Sequence, residues 1–226
     1  MNDRTGPLKK AIPYGVCLIV LTLAVPVAFC ETATWVTVRW VADGDTIILQ
    51  DGRHVRYIGI DTPETDHGHQ GAEPMGGEAR CLNRRLVQGH QLRLVYDRDK
   101  KDRYGRTLAY VYRRDGRFVN AELLKRGLAH VLVRSPNTAK MKALIDAQRT
   151  AMEEGRGIWR FLDRSETPPR PCPANRRSMR FHAPECPMGK KISPKNRVWF
   201  SSPWEAFWSG FAPAKECIPF PPPQGP

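Results

Sequence analysis

Trp35-Val-Thr-Val-Arg-Trp-Val-Ala-Asp-Gly-Asp-Thr-Ile-Ile-Leu-Gln-Asp-Gly-Arg-His-Val-Arg-Tyr-Ile-Gly-Ile-Asp-Thr-Pro-Glu64 sets three runs rich in β-branched and aromatic residues around two Asp-Gly turns. The runs Trp35 to Val41, Thr46 to Gln50 and Val55 to Ile60 have strand length and strand composition. Asp43-Gly44 and Asp51-Gly52 supply the reversals, so the stretch reads as a three-stranded meander.

Outward from it, Glu78 to Val87 carries Ala79, Leu82 and Leu86 at helical spacing and closes at Gly89. Gln91 to Tyr96 and Thr107 to Tyr112 return to strand. Asn120 is placed to cap a short helix ending at Gly127, and Asn137 or Thr138 a longer one running to Glu154. In that helix Met141, Leu144, Ile145, Gln148 and Met152 form a core-facing stripe. Strands this close together leave no room for crossover helices. The expected class is α+β: a closed five-stranded barrel of the oligonucleotide-binding type with about three helices.

Past Asp163 the texture changes. Fourteen of the twenty prolines lie between Pro168 and Pro226, so residues 164–226 are read as an irregular Pro-rich tail unable to build a conventional core alone. Its aromatic residues, Trp199, Phe200, Trp204, Phe207, Trp208 and Phe211, are set either to pack back on the barrel or to meet a partner, and Pro221 to Pro223 read as disordered. The folded domain is therefore bounded at 34–163. With 41% hydrophobic residues in 226, one good core is affordable and two are not.

At the other end, Arg4, Lys9 and Lys10 precede an uncharged apolar run from Ala11 to Phe29. Residues 1–30 read as a targeting segment, with Ala28-Phe29-Cys30 as the cleavage site and Glu31 as the first mature residue. A retained membrane anchor through residues 11–29 is the alternative, and lipidation of Cys30 is disfavoured by Phe29. The expectation is a secreted or periplasmic protein. Cys81, Cys172, Cys186 and Cys217 remain. None has the CxxC spacing of a zinc site; Cys81 is expected as a small buried residue of the first helix, and one pair among the other three is compatible with an oxidising compartment. A net charge of +13 with a pI near 9.8 favours a polyanionic partner, nucleic acid before anionic membrane.

Chemistry concentrates in three segments. Asp43-Gly-Asp-Thr46, taken alone, is a turn, as Asp51-Gly52 is. Asp61-Thr-Pro-Glu64 ends an apolar strand with two carboxylates spaced by a proline, and Arg56 lies five residues earlier on that strand. A guanidinium in so apolar a strand needs an anion opposite it. Asp102-Arg-Tyr-Gly-Arg106 contributes a second arginine on a charged turn. Oxygen ligands for a hard cation, a carboxylate to activate water and guanidinium forks to hold transition-state charge are the inventory of phosphodiester hydrolysis. His67 and His69, on a glycine-flanked loop, read as solvated.

In this order and spacing the segments resemble the staphylococcal nuclease (thermonuclease) family over about Val36 to Trp159. The resemblance implies an oligonucleotide-binding barrel and a Ca²⁺-dependent endonuclease acting on DNA and RNA that leaves 3′-phosphates. It also implies Asp45, Asp61 and the Thr62 carbonyl as calcium ligands, Arg56, Glu64 and Arg106 as catalytic residues, and Arg103 and Tyr104 as substrate contacts. Two departures bear on base preference: the Asp97 to Asp102 loop is shorter than in the best-known member, and Val131 to Ser135 lacks a tyrosine expected to stack near the nucleotide. The tail has no counterpart and is expected to be accessory. No protein partner can be named, and a monomer is expected. The competing reading is a non-catalytic nucleic-acid or protein-binding module of the same fold.

Overall fold

The computed structural model describes residues 1–2, 34–65, 71–162, 164, 170–218 and 220–221. Residues 3–30 of the targeting segment, His67 and His69, and Pro222 onward lie outside the described residues, whereas Pro221, expected to be disordered, is buried. Among the described residues no helix is long and apolar enough to cross a membrane.

The class is α+β. Strands β1 (Trp35–Val36), β2 (Val38–Asp43), β3 (Thr46–Leu49), β4 (His54–Tyr57), β6 (Leu92–Val95) and β7 (Thr107–Arg113) form one sheet in the order β1-β6-β7-β4-β3-β2. The meander is present as β2, β3 and β4, and β4 then runs parallel to β7. Thr37 alone separates β1 from β2, so one stretch of chain edges the sheet at both ends and the sheet curls. Counting β1 and β2 as that one stretch, five strands make up the curled sheet, and β5 (Ile60–Asp61) leaves it to pair with β8 (His130–Val131). Inside the curl Ile47, Leu49, Val55, Ile60, Leu92 and Val111 are buried, each contributing about 1.5–3 kcal/mol.

The helices α1 (Gly76–Val87), α2 (Val119–Lys125) and α3 (Met141–Glu153) cover this core. Two capping expectations fail. Asn120 lies inside α2, fully buried, where its Oδ1 accepts from the Val111 amide at 3.0 Å and its Nδ2 donates to the Ile58 carbonyl at 2.9 Å. Asn137 exchanges two hydrogen bonds of 2.8 Å with the Asp99 backbone, and α3 begins after Lys140. Both asparagines satisfy backbone groups of distant segments, which outweighs a local cap. Cys81 is exposed, on the solvent face of α1.

The tail is not irregular. β9 (Cys172–Asn175), β10 (Arg180–Phe181), β11 (Arg197–Phe200) and β12 (Ala212–Pro213) form a second sheet in the order β11-β9-β10-β12, with short helices α4 (Pro187–Lys190) and α5 (Pro203–Trp208). Proline does not prevent this, because Pro187 and Pro203 begin helices and Pro213 sits on an edge strand. Nor is the core built from the tail alone. Phe207 packs at 5.0 Å from Trp159, 5.0 Å from Phe181 and 4.7 Å from Phe220, so residues from both sides of position 163 share one cluster with Ala151, Met152 and Ile158. Gln148 on α3, fully buried, joins the two parts: its Oε1 accepts from the Val131 amide and its Nε2 donates to the Phe207 carbonyl, each at 2.6 Å.

Phe207→Ala would empty the centre of this cluster, and a loss of about 3–5 kcal/mol in unfolding free energy is expected from urea titration. A loss under about 1 kcal/mol would mean that the tail does not unfold together with the rest of the chain.

Candidate active site

Arg56 is the hub. On β4 it pairs across with Thr46 of β3, which brings its guanidinium beside Asp45 at the β2–β3 turn. Its Nη1 stands 2.8 Å from Asp45 Oδ2, and its Nη2 stands 2.7 Å from Asp61 Oδ1 at the end of β5. Nη1 also donates to the carbonyls of Ile60 at 2.9 Å and Tyr57 at 3.2 Å. The anion that a buried arginine requires is therefore supplied by the protein. Thr62 braces the pair by donating its amide and hydroxyl to Asp45 Oδ2 at 3.0 and 3.1 Å. Gly44 makes that approach feasible, since a Cβ there would stand 2.6 Å from Thr62 Oγ1 and 2.8 Å from the Ala79 Cβ.

The two carboxylates differ in their surroundings. Burial pushes Asp45 up, with Arg56 opposing and Asp61 adding to the rise. Burial would raise Asp61 too, but Arg56, His130, Lys215 and Arg180 outweigh it and hold Asp61 below the usual carboxylate range. His130 Nε2 lies 3.8 Å from Asp61 Oδ2, and burial pushes that imidazole down, with Asp61 opposing.

Glu64 follows Pro63 with its side chain half-exposed. Burial raises its pKa above the ordinary glutamate value, Lys215 opposing and Asp43 and Asp61 adding to the rise. Its backbone is fixed by Glu73: the Glu64 amide donates to Glu73 Oε2, and the Glu73 amide to the Glu64 carbonyl, both at 2.9 Å. On the opposite wall, Asp102 accepts Arg106 Nε at 2.7 Å and the amides of Tyr104 and Arg106 at 2.9 and 3.0 Å, which shapes the turn. Tyr104 is exposed, with the guanidinium carbon of Arg103 4.7 Å from its ring centre.

One cavity of about 1400 Å³ collects Arg56, Asp61, Glu64, Arg103, Tyr104 and Arg106 on its wall. Asp45 and Thr62 are buried and do not line it. Lys215, Arg180, Arg134 and Lys191 also line it, and none was singled out in the sequence. Lys215, two residues beyond β12, holds its ammonium 3.4 Å from Asp61 Oδ2, 3.7 Å from Glu64 Oε1 and 3.9 Å from Glu73 Oε1. A cation thus stands among three carboxylates. The only sequence signal for it was the basic character of the tail.

A family model described as "Staphylococcal nuclease homologue" matches residues 54–161. The chain is 44% identical to a thermonuclease of Staphylococcus intermedius over 126 residues, 54% of this chain and 74% of the relative. The chain belongs to the staphylococcal nuclease family. A Staphylococcus hyicus thermonuclease is 42% identical over 53% of this chain and 72% of its own length. The endonuclease YncB of Bacillus subtilis is 40% identical over 55% and 61% respectively. The stretch matched to the family model holds Arg56, Asp61, Glu64 and Arg106 and ends before β9, so Lys215 reaches the family's site from outside it.

Removing the Lys215 charge should free the carboxylates for another cation. Lys215→Ala is expected to tighten the binding of a hard divalent cation, with calcium as the probe in calorimetric titration, by roughly 3- to 10-fold at moderate ionic strength. Unchanged or weaker binding would show that the ammonium does not compete for that position.

Proposed function

We propose that this nuclease is a calcium-dependent endonuclease that hydrolyses phosphodiester bonds in DNA and RNA and leaves 3′-phosphate ends. The observation carrying this reading is that Arg56, Asp61, Glu64 and Arg106 converge on one cationic cavity, with Asp45 directly behind Arg56. A single-stranded polyanion suits a cavity whose walls also carry Arg103, Arg134, Arg180 and Lys191, and Tyr104 offers a ring face for a base.

The donor set fits a hard divalent cation. Asp45 and Asp61 are carboxylates, the Thr62 carbonyl is a further oxygen, and the Lys215 ammonium beside Asp61, Glu64 and Glu73 shows that the spot accepts positive charge. Asp45, Asp61 and Thr62 would hold calcium, which when bound polarises a phosphoryl oxygen and offsets developing charge.

The residues of the chain carry the other steps. Glu64 takes a proton from water as the water oxygen bonds to phosphorus. Its raised pKa makes it a better acceptor than an ordinary glutamate. The P–O5′ bond breaks, the 5′-oxygen takes a proton from water, the proton on Glu64 returns to solvent, and the phosphate stays on the 3′ side. Arg106, whose Nε is held by Asp102, has its terminal nitrogens available to brace the equatorial oxygens as charge builds. Arg56 pairs with Asp45 and Asp61 and holds them in place, and joins that bracing from the cavity wall. Lysine in either position would keep charge without the fork.

Export is part of the proposal and rests on the charged, then apolar N-terminus. Recovery of a secreted form beginning at Glu31 would support it.

Activity of the purified chain on DNA and RNA, with calcium or with excess chelator, tests the reading; full cleavage in chelator would overturn it. Glu64→Gln, Arg56→Lys and Arg106→Lys are each expected to lower turnover by about 10²-fold or more. Asp45→Asn should act through calcium affinity and recover in part at high calcium. A binding module that does not cut would lack this pattern, and normal cleavage by Glu64→Gln together with Arg106→Lys would remove the assigned mechanism.

A further inference from the structure

Cys186 and Cys217 are 31 residues apart in sequence and His182 belongs to no CxxC or HxxxH pattern, yet the second sheet brings the three together. β10 and β12 pair in parallel, with Phe181 opposite Pro213. His182 therefore follows β10 beside the turn that follows β12, and that turn carries Cys217. Cys186 precedes α4, four residues after His182. His182 Nδ1 lies 3.6 Å from Cys186 Sγ and 3.5 Å from Cys217 Sγ, and all three ligand atoms lie within 4.8 Å of one another.

We propose that His182, Cys186 and Cys217 bind one thiophilic divalent ion of the zinc class, a site separate from the carboxylates of the nuclease centre. Three observations carry it. First, a tetrahedral ion with bonds of about 2.3 Å to sulfur and 2.0–2.1 Å to nitrogen separates those ligands by roughly 3.5 Å, and both N···S distances match that edge. A disulfide between the cysteines would bring the sulfurs to about 2.05 Å and leave the imidazole without a function there. Second, the backbone amides of Met188 and Gly189 lie close to the Cys186 sulfur and that of Ala183 to the Cys217 sulfur, where metal thiolates find their outer partners. Third, the backbone makes room for the histidine, because a Cβ on Gly189 would stand 2.9 Å from the His182 Cβ.

Two soft thiolates and an imidazole favour zinc over calcium, which takes oxygen ligands. Three protein donors leave the fourth corner to water. Cys217 is two residues from Lys215, so the ion would pin the turn that presents the ammonium to Asp61 and Glu64.

The test uses the full chain, purified reduced and without oxygen, with excess calcium present to fill carboxylate sites. Cobalt is added as the spectroscopic probe. Expected are a thiolate-to-cobalt charge-transfer band and the intense visible bands of tetrahedral cobalt, saturating at one ion per chain and displaced by zinc. The bands should be lost in Cys186→Ser, Cys217→Ser and His182→Gln and kept in Cys81→Ser. Should those variants fold poorly, the unaltered chain serves: zinc is expected to protect Cys186 and Cys217, but not exposed Cys81, from iodoacetamide as read by peptide mass spectrometry. Absence of the bands, equal alkylation of these cysteines with and without zinc, or a Cys186–Cys217 disulfide in thiol-trapped protein from the producing cell would each overturn the proposal.

Discussion

A guanidinium buried in an apolar strand stays charged at tolerable cost only when anions meet its donors, and at Arg56 those anions are Asp45 and Asp61. Much of the site follows from that requirement. The β2–β3 turn must press against the start of the Asp61-Thr-Pro-Glu64 segment so that one arginine can bond both carboxylates. Gly44 and the two bonds from Thr62 to Asp45 are the means by which it does so. Pro63 and the Glu73 bonds then set Glu64 at the cavity edge. Losing one member of such a buried pair strands the other charge, which couples the geometry of the site to the stability of the curled sheet.

A second constraint ties the C-terminal region to this arrangement. Gln148 satisfies a backbone donor of β8 with one atom and a backbone acceptor of α5 with another, and Phe207 fills the space between Trp159 and Phe181. The second sheet therefore packs on α3 as part of the same folded unit. One consequence is electrostatic: Lys215 and Arg180 lower Asp61, and Lys215 opposes the rise at Glu64. The family match ends at residue 161, whereas the wall of the cavity does not.

Several side chains illustrate why local pattern reading reached as far as it did. Asn120 and Asn137 have cap chemistry and sit near helix starts, but each is used to satisfy backbone far away in sequence, information that a window of neighbours does not contain. Free cysteine is ordinarily a buried residue, yet Cys81 lies two residues from Ala79, on the face of α1 opposite the Ala79 and Leu86 stripe, and is exposed. The prolines of the tail argue against long strands and helices, and the structure contains only short ones, with Pro187 and Pro203 at helix starts and Pro213 on a sheet edge.

What the sequence by itself determined was whatever depends on near neighbours: the strand meander, the phase of α1 and α3, the α+β class, the family, and the order in which Arg56, Asp61, Glu64 and Arg106 occur. Periodicity and turn chemistry are short-range properties, and the nuclease segments are compact enough to be read from them. Only the tertiary structure decided that Arg56 finds its anions within the protein, that β1 and β2 edge the curled sheet at its two ends, and that Lys215 enters the carboxylate cluster. It alone also brought His182, Cys186 and Cys217 together. These are through-space relations between segments separated by tens of residues, fixed by burial of Phe207 and pairing of β10 with β12, and no local pattern in the chain encodes them.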